Sequence, residues 1–261
     1  MGCQTPHSLW GHFGAVGWAR VLGRVGCNTL GVMTATAVAP SGSSNSTSAD
    51  QASKPKLRGW SHFVAFVAAM TLAPILIVFS PGVAARFVAA EYAYAIAALF
   101  GVSALLHRGD WSPKAHLLLR RLDHSMIFVA IASTYTPVAL LELPRRTGLI
   151  LLGVVWTGAL LGIASRVLWT NAPYPVIALP YVITGWAAVA VVGDVWDALG
   201  VAGFVLIIVG GGLYTLGAII YALHKPNPWP RWFGYHEIFH LLVIAGAAVH
   251  YVAIAFFVLP N

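Results

Sequence analysis

The sequence predicts an all-α integral membrane protein of seven transmembrane helices, with a cytoplasmic N-terminus and an extracytoplasmic C-terminus. Three observations predict it. Of the 261 residues, 59% are hydrophobic and only 9% are charged, whereas a soluble domain would carry roughly 25% charged residues. From Trp60 onward the apolar residues gather into seven stretches, each near the ~20 residues a helix needs to cross a bilayer. The basic residues fall in the short connectors between those stretches, where topology signals belong.

The chain divides into an N-terminal tail, residues 1–58, and a membrane domain, residues 59–261. Within the tail, Pro40 to Ala52 reads PSGSSNSTSADQA. It is polar, serine-rich and without periodicity, which predicts disorder. The segment before it lacks the marks of a signal peptide. Its first basic residue comes late, at Arg20, and the small residues Ala37-Val38-Ala39 are followed by Pro40. Pro6 stands where a myristoylation signal wants Ser or Thr. Met33 is the expected true start, which makes residues 1–32 an over-called extension.

The spans are expected near 60–80, 86–106, 122–142, 147–168, 175–192, 199–222 and 235–258. In lipid, segments of this spacing satisfy their own backbone only as helices, so the expected architecture is a seven-helix bundle. Pro137 and Pro180 are expected to kink or locally unwind the third and fifth spans. Gly153, Thr157 and the run Gly210-Gly211-Gly212 suit close helix contacts, or are simply tolerated in lipid. Cys3 and Cys27 both precede the first span. No disulfide framework is expected, and any metal ligands must be His, Asp or Glu.

Orientation follows from Lys and Arg. The tail end and the 2–3, 4–5 and 6–7 connectors together hold ten basic residues, from Lys54 to Arg231. The other connectors hold three, Arg86, Arg145 and Arg146. The positive-inside rule places the first set in the cytoplasm. The same distribution argues against nucleic acid as the partner implied by the net charge of +7. The expected location is the cell membrane, crossed many times.

This topology brings five polar residues to one membrane depth. Ser103 and His107 lie at the cytoplasmic end of the second span, Asp123 begins the third, and His236 and His240 begin the seventh. Ionisable groups in such helices are costly and usually functional. His236 and His240 are i, i+4, on one helix face about 6 Å apart along the axis, a common arrangement for two imidazoles on one zinc ion. A third imidazole completes a three-histidine set with an open fourth position, the catalytic pattern. Asp123 is then placed to hold or deprotonate a water, and it fits equally a helix cap. Ser103 either joins it or bonds back to its own helix.

Other histidines read less well. His250 lies ten residues past His240, about 15 Å deeper and on another face. His116 falls in the 2–3 connector, His124 points roughly 100° from Asp123, and His62 and His224 flank spans. Residues 236–240 also spell His-Glu-Ile-Phe-His, the H-E-x-x-H of zincins, in which the glutamate is the general base. That raises an intramembrane metalloprotease as a rival.

Four segments carry a family resemblance. They are Ser103-Ala-Leu-Leu-His107, Arg121-Leu-Asp123-His-Ser-Met-Ile-Phe128, Thr134-Tyr-Thr-Pro137 and Gly234-Tyr-His236-Glu-Ile-Phe-His240. Together they closely resemble the bacterial hemolysin III family, within the wider group of progestin and adiponectin receptors and related to alkaline ceramidases. The resemblance covers about residues 57–258. It implies seven helices, a cytoplasmic N-terminus and zinc held by His107, His236 and His240, with Asp123 and Ser103 near the zinc-bound water. It also implies that Glu237 is not essential. The function expected is zinc-dependent hydrolysis of a lipid amide, ceramide-like, with membrane lipid as substrate. A non-enzymatic regulator or receptor with structural zinc is one alternative. A pore-forming cytolysin is another, and it would want a continuous polar stripe along several helices.

Overall fold

The computed structural model describes residues 55–169 and 173–260. The proposed start at Met33 and the serine-rich stretch Pro40 to Ala52 lie outside the described residues. Among these, the chain is helical with no strand beyond one isolated bridge between Trp229 and Phe233. The helices are α1 (Trp60–Phe79), α2 (Gly82–Arg108), α3 (Pro113–Pro137), α4 (Arg145–Leu168), α5 (Tyr174–Gly185), α6 (Val192–Leu223) and α7 (Tyr235–Phe257).

Chain neighbours pack on one another, and α1 packs on α7, which closes the helices into a ring. On α2 the inner stripe is Ala85, Ala89, Ala93, Ile96 and Phe100, all buried at the i, i+3/i+4 spacing of one helix face. The outer face is equally apolar. Phe79 is 82% exposed, Phe87 73% and Leu168 85%. Apolar surface on this scale faces lipid, not water.

Close packing rests on several glycines, among them Gly210, expected at a contact, and two more. A Cβ on Gly162 would lie 2.2 Å from the Phe128 ring, and one on Gly148 would lie 2.0 Å from the Ala139 carbonyl oxygen. Gly153, expected at a contact, has nothing near it. Pro137 ends the regular part of α3, which continues as one wide turn over Val138–Glu142, the local unwinding expected of a proline without an N–H. Pro180 sits inside α5, and the break follows at Trp186.

Two boundaries differ from expectation. α3 starts at Pro113, because the Ser112 hydroxyl caps it, accepting from the Ala115 N–H at 3.4 Å, with proline at the favoured first position. Asp123 is therefore ten residues inside the helix, and the capping alternative falls. The second difference concerns the fifth and sixth spans. By length and composition, six helices among the described residues can cross a membrane, one of them running from Ala178 to Leu223. That 46-residue stretch would be about 69 Å long if straight, over twice the bilayer core. It is not straight. A tight turn spans Ala187–Val191, and Gly200 adopts φ 61°, ψ −177°, open to glycine alone at no cost. The Trp186 indole N–H donates to the Thr215 hydroxyl at 2.8 Å, so the chain doubles back between them.

Candidate metal centre

Two helix ends bring the predicted histidines together. The last turn of α2 supplies His107, and the first turns of α7 supply His236 and His240. One ring nitrogen from each lies within 4.8 Å of the others. Nε2 of His107 and Nε2 of His236 are 3.1 Å apart, close to the ~3.3 Å that two imidazoles keep on one tetrahedral zinc. The ring centroids are 4.8, 5.1 and 4.4 Å apart. His240 is 2% exposed, and its Nδ1 is buried with no hydrogen-bond partner. Three converging imidazoles, one with an unmatched buried nitrogen, are a donor set that fits a borderline-soft cation such as zinc.

The α7 start is built for this. Gly234 precedes the helix, and its N–H donates to Glu237 Oε2 at 2.8 Å, satisfying one of the unpaired donors of the first turn. The other oxygen of Glu237 accepts from the Arg58 guanidinium. Glu237 is thus a buried cap and ion-pair partner, turned away from the role of a general base. The segment before α1 is tied to the same region. The Lys56 N–H donates to the Arg231 carbonyl at 3.2 Å, and the Leu57 N–H to that of Trp232 at 3.4 Å. Gly59, at φ 80°, fits against His107, whose Cβ would be 2.8 Å from an added methyl.

Asp123 and Ser103 stand beside the cluster. They line one cavity with His62, His236 and His240, and the Ser103 hydroxyl is a hydrogen-bonding neighbour of the Asp123 carboxylate. All five predicted residues are therefore drawn to one place. The cavity has room for water-sized spheres over about 120 Å³ and continues between α3, α5, α6 and α7 past Ile131 and Val243 to Tyr135 and His250.

Three further histidines belong to this space, and sequence reasoning set all of them aside. The His62 ring stacks on His240 at 3.8 Å with 8° between planes. A ligating imidazole keeps the ion in its own ring plane, so these parallel rings do not share one ion; His62 buttresses His240. His124 also lines the cavity, with Nδ1 3.6 Å from the Asp123 carboxylate. That nitrogen donates to the Arg120 carbonyl at 2.8 Å, which leaves Nε2 as the acceptor. His250 lies at the far end. His116 is exposed at the start of α3, outside the cluster.

Comparisons with known proteins agree with this construction. A family model described as haemolysin-III related matches residues 50–251. A Bacillus cereus protein named "Hemolysin-3" is 34% identical over 170 residues, 65% of this chain and 74% of that protein. A "Hemolysin-3 homolog" of Bacillus subtilis (strain 168) is 34% identical over 159 residues, 61% of this chain and 71% of its own. An "Adiponectin receptor protein" of Drosophila melanogaster is 50% identical over 50 residues, 17% of this chain and 11% of its own. No solved structure matches. With the family model spanning most of the helical ring and every segment of the histidine cluster, this multi-pass membrane protein belongs to the haemolysin-III related family.

Proposed function

We propose that the protein is a zinc-dependent hydrolase of lipid amides, with ceramide-like compounds as the substrate class. The observation that carries this reading is the convergence of His107, His236 and His240 beside Asp123 and Ser103, at the head of a long apolar cavity. The three imidazoles hold the ion. When bound, zinc polarises a carbonyl and lowers the pKa of water toward ~7. Asp123 is the general base: it takes a proton as water oxygen joins the acyl carbon, and returns one to the amine as the C–N bond breaks. Ser103 orients that carboxylate, and the cavity holds the acyl chain away from water. Glu237 is occupied by Arg58 and the Gly234 N–H, which disfavours the protease reading. The test is release of free amine from ceramide-like amides by purified protein. Turnover is expected, lost with a chelator and restored by zinc. No turnover on any lipid amide, with zinc bound, would defeat the reading.

We also infer seven crossings, with the N-terminus cytoplasmic. The chain reversal between Trp186 and Thr215 supports two crossings in the long apolar stretch, and the bias of ten basic residues to three supports the orientation. A reporter fused after Asn261 is expected to read as extracytoplasmic, and one inserted near Ser112 as cytoplasmic. Both on one side would break the seven-pass arrangement.

A further inference from the structure

The far end of the cavity carries a second polar feature that the proposed hydrolysis does not use. His250 lies ten residues beyond His240 on α7, about 15 Å along the helix, and lines the same cavity. It is 6% exposed. Its Nε2 is 3.1 Å from the Ile207 carbonyl oxygen. A carbonyl only accepts, so Nε2 holds the proton and Nδ1 is left as an acceptor. Nδ1 is buried and has no hydrogen-bond partner. The ring is fixed in that pose. It lies against bare Gly210, where a Cβ would come within 2.2 Å of Cδ2, and Tyr214 meets it edge-on at 5.4 Å. The wall between the two ends is mostly apolar, with Ile127, Ile131, Val182 and Val243 along it and the hydroxyls of Thr134, Tyr181 and Tyr214 among them.

We propose that His250 is a specificity-determining residue, whose Nδ1 accepts a hydrogen bond from a hydroxyl carried on the acyl chain about twelve bonds from the carbonyl. Buried acceptors in native proteins are normally matched by a donor, and the chemistry left open here is that of a hydroxyl deep in an apolar tunnel. The length follows from the geometry. An extended chain covers ~3.6 Å per three bonds, so about 15 Å takes roughly twelve. The inference rests on the lipid reading of the cavity, with the carbonyl at the histidine cluster, and it names which lipid chains are preferred.

The test measures binding instead of turnover, so it does not depend on whether hydrolysis occurs. The probes are dodecanoic, 12-hydroxydodecanoic and 12-methoxydodecanoic acids, titrated against zinc-loaded, detergent-solubilised full-length protein. The methoxy compound keeps the size and the oxygen but lacks the donor. Wild type is expected to bind the hydroxy acid about tenfold tighter than the methoxy acid. His250→Leu is expected to lose that preference. His250→Asn, whose Oδ1 takes roughly the place of Nδ1, is expected to retain most of it. Reading the ratio of two ligands within each protein cancels their different partition into detergent. Equal affinity of the two acids in wild type, or a preference that survives in His250→Leu, would overturn the inference while leaving the lipid site standing. Failure of all three acids to bind wild type would remove the lipid reading and this inference with it.

Discussion

Replacing His236 and His240 together by alanine is expected to strip the protein of its metal, from about one zinc per chain to under ~0.1, because one imidazole alone cannot hold the ion. The two residues supply two of the three converging nitrogens, and both sit in the first two turns of α7. The helix itself should still start, since its cap is Glu237 and not either histidine. His107→Ala leaves the i, i+4 pair intact and should fall between wild type and the double variant. Metal analysis alongside circular dichroism of the purified proteins separates loss of the ion from loss of the fold. A folded double variant with full zinc occupancy would refute the assignment of these ligands.

The second large effect separates chemistry from architecture. Asp123→Asn should keep zinc and fold but lose turnover by roughly 10²–10⁴-fold, because an amide cannot take a proton from water. Glu237→Gln should do the reverse. Glu237 is 3% exposed and bonds both Arg58 and the Gly234 N–H. A glutamine still accepts from the N–H but leaves the Arg58 charge uncompensated, at about 1–3 kcal/mol of stability. Its turnover per folded molecule should stay near wild type. Thermal melts, zinc content, lipid amidase activity and proteolysis, measured on both variants, distinguish the classes. A zincin-type protease would show Glu237 indispensable and Asp123 dispensable. A non-enzymatic regulator would show no turnover in wild type at all.

The membrane character and the five-residue constellation were legible in the sequence because each has a one-dimensional signature. Apolar length marks a span, Lys and Arg mark the connectors, and i, i+4 spacing puts His236 and His240 on one face. What escaped depends on which helices touch. His62 looks like an ordinary residue at a span end until α1 packs on α7 and lays it on His240. His124 and His250 were discounted by their angle on the helix, but a cavity bordered by six helices is wide enough to admit neighbours some 80–100° round the axis. The pairing of Arg58 with Glu237 joins residues 179 positions apart, and no local pattern announces it. The early start of α3 was hidden because its first turns are basic and lie before the apolar run, so hydropathy alone ends the span at the wrong residue.

That long-range pair also sets an order of events. The donors of the histidine cluster come from the second helix and the last, and the partner of Arg58 sits in the last as well. During synthesis, then, a chain arrested after its sixth helix has its first helices in the bilayer but only one of the three imidazoles and no acid to meet Arg58. On the hydrolase reading proposed above, the ion and the reactive centre would be acquired only once the seventh helix has entered the membrane. On that reading unfinished products would be chemically silent, and completion of the chain would double as the switch that arms it.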